Sequence, residues 1–333
     1  MSDHRADLVF EGGGVKGIGL AGAFCELSER GYVSQCVAGT STGAIAAALV
    51  AVGYSGAEIE EIALRQVDFS EFADPDFIGD LGKAGAAFAF LLRRGIHSGK
   101  HFLDWMHAQL AAKGKTKFGD LRDESATLES RRYRLQVIAS DLTTRSMLVL
   151  PRDAALIGIA DPDELEIALA VRMSMSIPIY FEPVVYRNAR TGEDHVIVDG
   201  ALLSNFPIWL FDAADGVKPA FPTLGLRLAT PGQREPVLPH APASWLDVQS
   251  DIRYLKTIVE TMIEARDRQS IDEATLARTI SIPTLGTGAL DFAVARERRE
   301  ELFAAGRDAA ATFLDAFDFD AYVERFTGVG PAS

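Results

Sequence analysis

Residues 8–10 form a short apolar run that stops at Glu11 and three glycines, the pattern of a buried strand entering a tight loop. Apolar side chains then recur at 18, 20, 21, 24 and 27, a helical period over 18–30 that Gly31 closes. A second short strand is predicted at 35–38, a tight turn at 39–43, and an alanine-rich helix at 44–52 that ends at Gly53. Strand, helix, strand, turn, helix is a βαβ order, so the first two strands should be parallel neighbours. Residues 55–120 read as mostly helical, with segments at 57–64, a very apolar 84–92 and an amphipathic 100–113. Further strands are expected at 134–139, 147–150, 195–198, 223–228 and 281–283, and further helices at 165–173, 246–277 and 294–317. The proline-rich stretch 229–243 reads as an exposed loop, and the tail after Thr327 as loose. Without repeats, low-complexity tracts or a shift in composition, the pattern fits one α/β domain with a mainly parallel sheet and helical insertions.

Composition narrows the function classes. The chain has 333 residues, 48% hydrophobic and 24% charged, as a soluble globular protein does. Its net charge of −14 argues against a nucleic-acid binder, and against purely electrostatic attachment to anionic membranes. Two cysteines, Cys25 and Cys36, make no disulfide framework, and the six histidines form no zinc-spaced cluster, so no metal is expected. The N-terminus lacks the basic-then-apolar order of a signal peptide, and the longest apolar runs, 44–52 and 84–92, fall far short of a membrane span. A cytoplasmic chain without a transmembrane segment is expected.

Three segments carry chemistry. Gly39-Thr40-Ser41-Thr42-Gly43 is a G-x-S-x-G turn between a strand and a helix. Its glycines allow a sharp turn that projects the third side chain from the sheet edge, at a helix N-terminus whose free N–H groups favour negative charge. Gly12-Gly13-Gly14-Val15-Lys16-Gly17 is a glycine-rich loop whose N–H groups can point at one spot, as an oxyanion requires. The same residues also fit G-x-G-x-x-G, a dinucleotide site, but the second strand ends in Ala38-Gly39-Thr40-Ser41 without the carboxylate such a site needs. No Gly-Lys-Ser/Thr follows, so a Walker A loop is excluded. If both turns follow parallel neighbours, they share one carboxyl edge of the sheet, within reach of one acyl group. Third, Asp199-Gly200-Ala201 ends the strand at 195–198; Asp199 can take the Ser41 proton, or simply cap a turn. Two histidines are alternative bases: His240, which lies in the proline-rich stretch with no strand ahead of it, and His195, which reads as a strand residue.

A G-G-G-x-K-G loop, a G-T-S-T-G elbow 25 residues after Gly14 and a distant D-G-A together resemble the patatin-like phospholipases. Ala139-Ser140-Asp141-Leu142, the run 170–183 (AVRMSMSIPIYFEP) and Asn205-Phe206-Pro207 extend the likeness over most of 7–228. The resemblance implies a three-layer α/β/α sandwich over a single domain, 1–333, with core 7–228, a helical insertion at about 55–120 and a C-terminal helical region at about 244–326. It implies a lipid acyl hydrolase without metal or organic cofactor, acting on phospholipid or another acyl ester, at a membrane surface in some settings. It assigns Ser41 as nucleophile and Asp199 as base, with Gly12, Gly13 and Gly14 at the oxyanion hole and Lys16, Gly17, Gly39, Gly43, Gly200 and Ala201 as motif positions. Lys16 stands where the family has Lys or Arg; it either holds the loop, meets the lipid phosphate, or is a solvated loop charge. A carboxylesterase or acyltransferase using the same dyad, and a nucleotide-binding regulatory module, are the alternatives. The apolar 84–92 run, followed by Arg93 and Arg94, reads either as a buried core helix or as an interfacial helix or acyl-chain wall.

Overall fold

The computed structural model describes residues 4–67, 72, 94–213, 217–229, 272–289, 291 and 294–326. The expected feature at 84–92, all of 229–243 except Ala229, most of the helix at 246–277, His240 and the tail after Thr327 lie outside the described residues.

Strand β1 (His4–Phe10) leads through the glycine loop and a 3₁₀ turn (Gly14–Gly17) into helix α1 (Ile18–Glu29). Strand β2 (Tyr32–Thr40) then passes through Ser41 into α2 (Thr42–Val52). The two strands pair in parallel, as the βαβ order predicts. Next come α3 (Gly56–Glu61), a π-helical turn (Ile62–Gln66), β3 (Gly95–His97) and α4 (Lys100–Ala112). The central segment holds β4 (Leu135–Asp141), β5 (Ser146–Leu150), α5 (Ile167–Ser174), β6 (Ile179–Phe181), β7 (Val184–Arg187) and β8 (Asp194–Asp199). After β9 (Thr223–Ala229), the described chain ends in α6 (Glu273–Ala277), β10 (Thr279–Pro283), α7 (Arg296–Ala316) and α8 (Phe319–Phe326).

The main sheet has the pairing order β10-β9-β1-β2-β4-β8-β7, with β5 also on β4. The five strands from β10 to β4 are mutually parallel. Beyond them the sheet is mixed, because β5 and β8 both run antiparallel to β4. Alternation along the strands sorts side chains onto two faces. Leu8, Phe10, Val37, Leu135 and Val137 join the larger core with α1, α2 and α5, while Val9, Cys36, Ala38 and Ile138 join a second cluster under Phe206 and a 3₁₀ turn (Ile208–Phe211). Helix α7 packs along α1, so the C-terminal segment belongs to the larger core. This is the layered α/β fold that the sequence pattern predicts.

Register on β4 places the carboxyl ends of β2 and β8 together. Residues Val137 to Asp141 of β4 pair with β5 on one edge. On the other edge Leu135 to Ile138 pair with β2, and Ala139 to Asp141 pair with β8. Each strand offers only two edges, so β2 and β8 occupy the same one and meet head to head. Thr40 pairs with Ile138, and Asp199 pairs with the next residue, Ala139.

Candidate active site

Ser41 sits at the join of β2 and α2 with φ +55° and ψ −127°, a region that side-chain-bearing residues rarely enter. Such a backbone costs on the order of 1–3 kcal/mol and persists only where its surroundings hold it. Gly39 and Gly43 supply the close approach. A Cβ on Gly39 would lie 2.2 Å from the Gly43 carbonyl oxygen, and one on Gly43 would lie 2.3 Å from that of Phe10. The Ser41 N–H donates to the Ser174 hydroxyl at 2.9 Å, inside the protein. Ser41 itself is buried.

Asp199 is also buried. Its Oδ1 accepts the Ala201 N–H at 2.8 Å, so the turn-capping role is real, and its own N–H donates to the Ser176 carbonyl at 2.9 Å. Oδ2 accepts no bond of ordinary geometry. Burial pushes the carboxyl up to about 7, against the smaller opposing pull of the Ala201 N–H and the Ser41 hydroxyl.

Behind this pair runs Ser174-Met175-Ser176. One end holds the Ser41 amide and the other the Asp199 amide. Arg172, buried one turn before, anchors the segment by donating to the Ser176 hydroxyl at 2.5 Å and to the carbonyls of Ser98 and Glu182 at 2.8 Å. Sequence reasoning noted this run only as part of a family pattern and gave Ser174 and Ser176 no role. Their signal was two small hydroxyl residues, one ending a largely apolar helix and one just past it.

The glycine loop is clasped to the turn after β8. Gly12 N–H donates to the Asn205 carbonyl and Asn205 Nδ2 donates back to the Gly12 carbonyl, each at 3.1 Å. Thus Gly12, one of three glycines expected at the oxyanion hole, has already committed its amide. Gly13 and Gly14 open the 3₁₀ turn, and among the described residues their N–H groups meet no acceptor. Gly14 has φ +57°, and a Cβ there would fall 1.8 Å from the Ala289 carbonyl oxygen, so only glycine fits. Glu11 accepts the Leu228 N–H and ties the loop to β9. Lys16 is buried in the same turn rather than being a solvated loop charge. Gly17 faces Thr42: a Cβ there would lie 2.3 Å from Thr42 Cγ2. Gly200 packs against the Ile138 carbonyl and begins a 3₁₀ turn (Gly200–Leu202) that Asp199 caps and that contains Ala201.

His195, weighed as a base, has its Nδ1 2.7 Å from Asp141 Oδ2 in a buried pair between β8 and β4. Thr143 N–H and the Thr144 hydroxyl complete the shell around Asp141. Among the described residues no three His, Cys, Asp or Glu side chains are grouped to hold a metal ion, and no helix is long and apolar enough to cross a membrane.

The patatin-like phospholipase family model matches residues 8–212. Over 313 residues the chain is 36% identical to the uncharacterized protein YqhO of Bacillus subtilis (strain 168), covering 94% of this chain and 99% of that one. The chain belongs to the patatin-like phospholipase family. Solved structures similar to it include VipD from Legionella pneumophila, with TM-score 0.48 and 18% identity over 95% of this chain and 67% of that one. The type III effector protein ExoU aligns with TM-score 0.49 and 16% identity over 93% of this chain and 53% of ExoU, so this chain spans about half of ExoU's length.

Proposed function

We propose that the protein is a lipid acyl hydrolase that cleaves fatty-acyl esters of phospholipids or lysophospholipids through an acyl-serine intermediate. Ser41 is the nucleophile, Asp199 the base, and the Gly13 and Gly14 amides the oxyanion donors. The observation that carries this reading is the head-to-head meeting of β2 and β8 on one edge of β4, where Thr40, the residue before Ser41, and Asp199 pair with consecutive residues. Membership of a phospholipase family supports the substrate class.

The reaction follows from those positions. With a pKa of about 7, Asp199 is a far better proton acceptor than an exposed aspartate and is still partly ionised at neutral pH. Its unpartnered Oδ2 takes the Ser41 hydroxyl proton as Oγ bonds to the ester carbonyl carbon. The carbonyl π electrons move to oxygen, where the Gly13 and Gly14 N–H groups stabilise the developing charge; one such donor contributes roughly 2.7–4 kcal/mol. Collapse breaks the bond to the alcohol oxygen, which leaves with the proton from Asp199, and the acyl group stays on Ser41. Water then gives a proton to Asp199 and adds its oxygen to the acyl carbon. Release of the fatty acid returns that proton to Ser41. The sum is ester plus water to acid plus alcohol, with no cofactor.

A fluorophosphonate probe, with mass spectrometry of products from mixed phospholipid, lysophospholipid and neutral-lipid substrates, tests the proposal. The expected outcome is labelling at Ser41 and release of free fatty acid, with Ser41→Ala and Asp199→Asn each slower by at least ~10³-fold. Near-normal turnover in either variant overturns the dyad. Acyl transfer to an alcohol in place of fatty acid release moves the protein to the acyltransferases.

A further inference from the structure

β10 runs parallel to β9, β1 and β2, so the chain after Pro283 leaves the sheet at the same carboxyl edge as the glycine loop and the serine elbow. This loop lies beyond residues 8–212, which the family model matches. The Thr284 N–H ties its start to β9 by donating to the Ala229 carbonyl at 3.2 Å. Leu285 and Gly286 follow with φ +51° and +76°, and the Thr287 N–H closes a tight turn on the Thr284 carbonyl at 2.9 Å. Ala289 then reaches the glycine loop, where its carbonyl accepts the Val15 N–H at 3.2 Å.

That bond decides which amides stay free. The glycine loop carries consecutive N–H groups from Gly12 to Val15. Gly12 donates to Asn205 and Val15 donates to Ala289, which leaves only Gly13 and Gly14, between them, with no acceptor among the described residues. Two carbonyls from distant segments thus bracket the free pair. The Ala289 peptide is itself held from both sides. Asp291 Oδ2 accepts the Gly288 N–H at 2.7 Å, and the Asp291 N–H reaches the Gly288 carbonyl at 3.4 Å.

We propose that Asp291 is a positioning residue for the Gly13 and Gly14 oxyanion donors, acting through the Ala289 carbonyl and the Val15 N–H, an inference that rests on the hydrolase reading above. Oxyanion donors work because they are aimed before the charge develops. A misplacement of about 1 Å is enough to cost about 10²-fold in rate. Loosening the brace therefore slows the chemical step and leaves substrate binding as it was.

The test measures kcat and KM for p-nitrophenyl butyrate per folded molecule, fluorophosphonate labelling of Ser41, and hydrogen exchange at the Val15 amide, all on the full-length protein. Asp291→Ala removes the acceptor of the Gly288–Asp291 bond, and Gly288→Pro removes its donor. In each variant kcat is expected to fall by about tenfold, part of the roughly 10²–10³-fold that loss of a whole oxyanion donor costs, with KM little changed and labelling slowed in proportion. Exchange at Val15 should quicken in both. The double variant should lose no more than the worse single one, because both substitutions break one bond. Asp291→Asn keeps an oxygen acceptor and should recover most of the rate. Asp291 is exposed, so Asp291→Ala decides the matter if Gly288→Pro does not fold. Wild-type kcat in folded Asp291→Ala overturns the brace and leaves the hydrolase standing. A fall in kcat with Val15 exchange unchanged overturns it as well, since Asp291 would then act by another route. Failure of the wild-type protein to label or to cleave the ester overturns the hydrolase reading and the brace together.

Discussion

Thr40 and Asp199, the last residues of two strands that run in opposite directions, pair with consecutive residues of β4, Ile138 and Ala139, on one edge. The carboxyl is thereby delivered to the serine elbow from the front, along the line of β2, and not from a parallel neighbour beside it. Both strand ends are buried, which is why the acid titrates far from its ordinary value of 3.8.

That burial has two consequences of opposite sign. Between about pH 4 and 7 the folded chain retains a proton on Asp199 that the unfolded chain has released, so stability falls as pH rises through that window. Asp199→Asn removes the buried charge. Above about pH 7 it should be more stable than the wild type, by on the order of a few kcal/mol at most, and melt at a higher temperature, and the difference should shrink towards about pH 4. Catalysis needs the ionised form, so wild-type kcat/KM should climb along a limb centred near pH 7. Thermal melts and a pH–rate profile check both. A flat profile across that range would show that another group is the base.

Ser174 should act as a positioning residue. Its hydroxyl is the acceptor for the Ser41 N–H at 2.9 Å. Ser174→Ala leaves that buried N–H without a partner, a loss of about 1–3 kcal/mol, and lets the strained elbow relax. The expected result is a kcat lower by about tenfold with KM little changed, slower fluorophosphonate labelling of Ser41, and recovery in Ser174→Thr, which keeps the hydroxyl. A folded Ser174→Ala protein with wild-type kcat would remove Ser174 from the machinery.

The His195–Asp141 pair should be structural. His195→Phe deprives buried Asp141 of one donor while Thr143 and Thr144 remain, so a loss of stability of about 3 kcal/mol is expected, with kcat per folded molecule unchanged. Urea unfolding and active-site titration measure the two separately. A Ser-His-Asp mechanism makes the opposite prediction, a collapse of kcat in a stable protein.

Much of the architecture was legible because local chemistry imposes it. The strand before Glu11, the helix after Gly17 and the parallel pairing of β1 with β2 follow from runs, periods and βαβ handedness alone. Short strands such as β6 and β7 are not legible because three or four residues carry no period, and which strands of a mainly parallel sheet run the other way leaves no local mark. The glycines at 12, 13 and 14 looked equivalent as letters. Only their neighbours separate them: Asn205 occupies the Gly12 amide, whereas Gly14 is pressed against Ala289.

The order of residues by itself determined which groups could do chemistry here: a serine between two glycines at a strand-to-helix turn, an aspartate at a strand end, and a run of backbone amides without side chains. Tertiary structure alone decided how they meet. The direction of β8, the two amides held by Ser174 and Ser176, and the burial of Asp199 all depend on contacts between separate segments of the chain, 133 residues apart for Ser41 and Ser174, and no local pattern encodes such contacts.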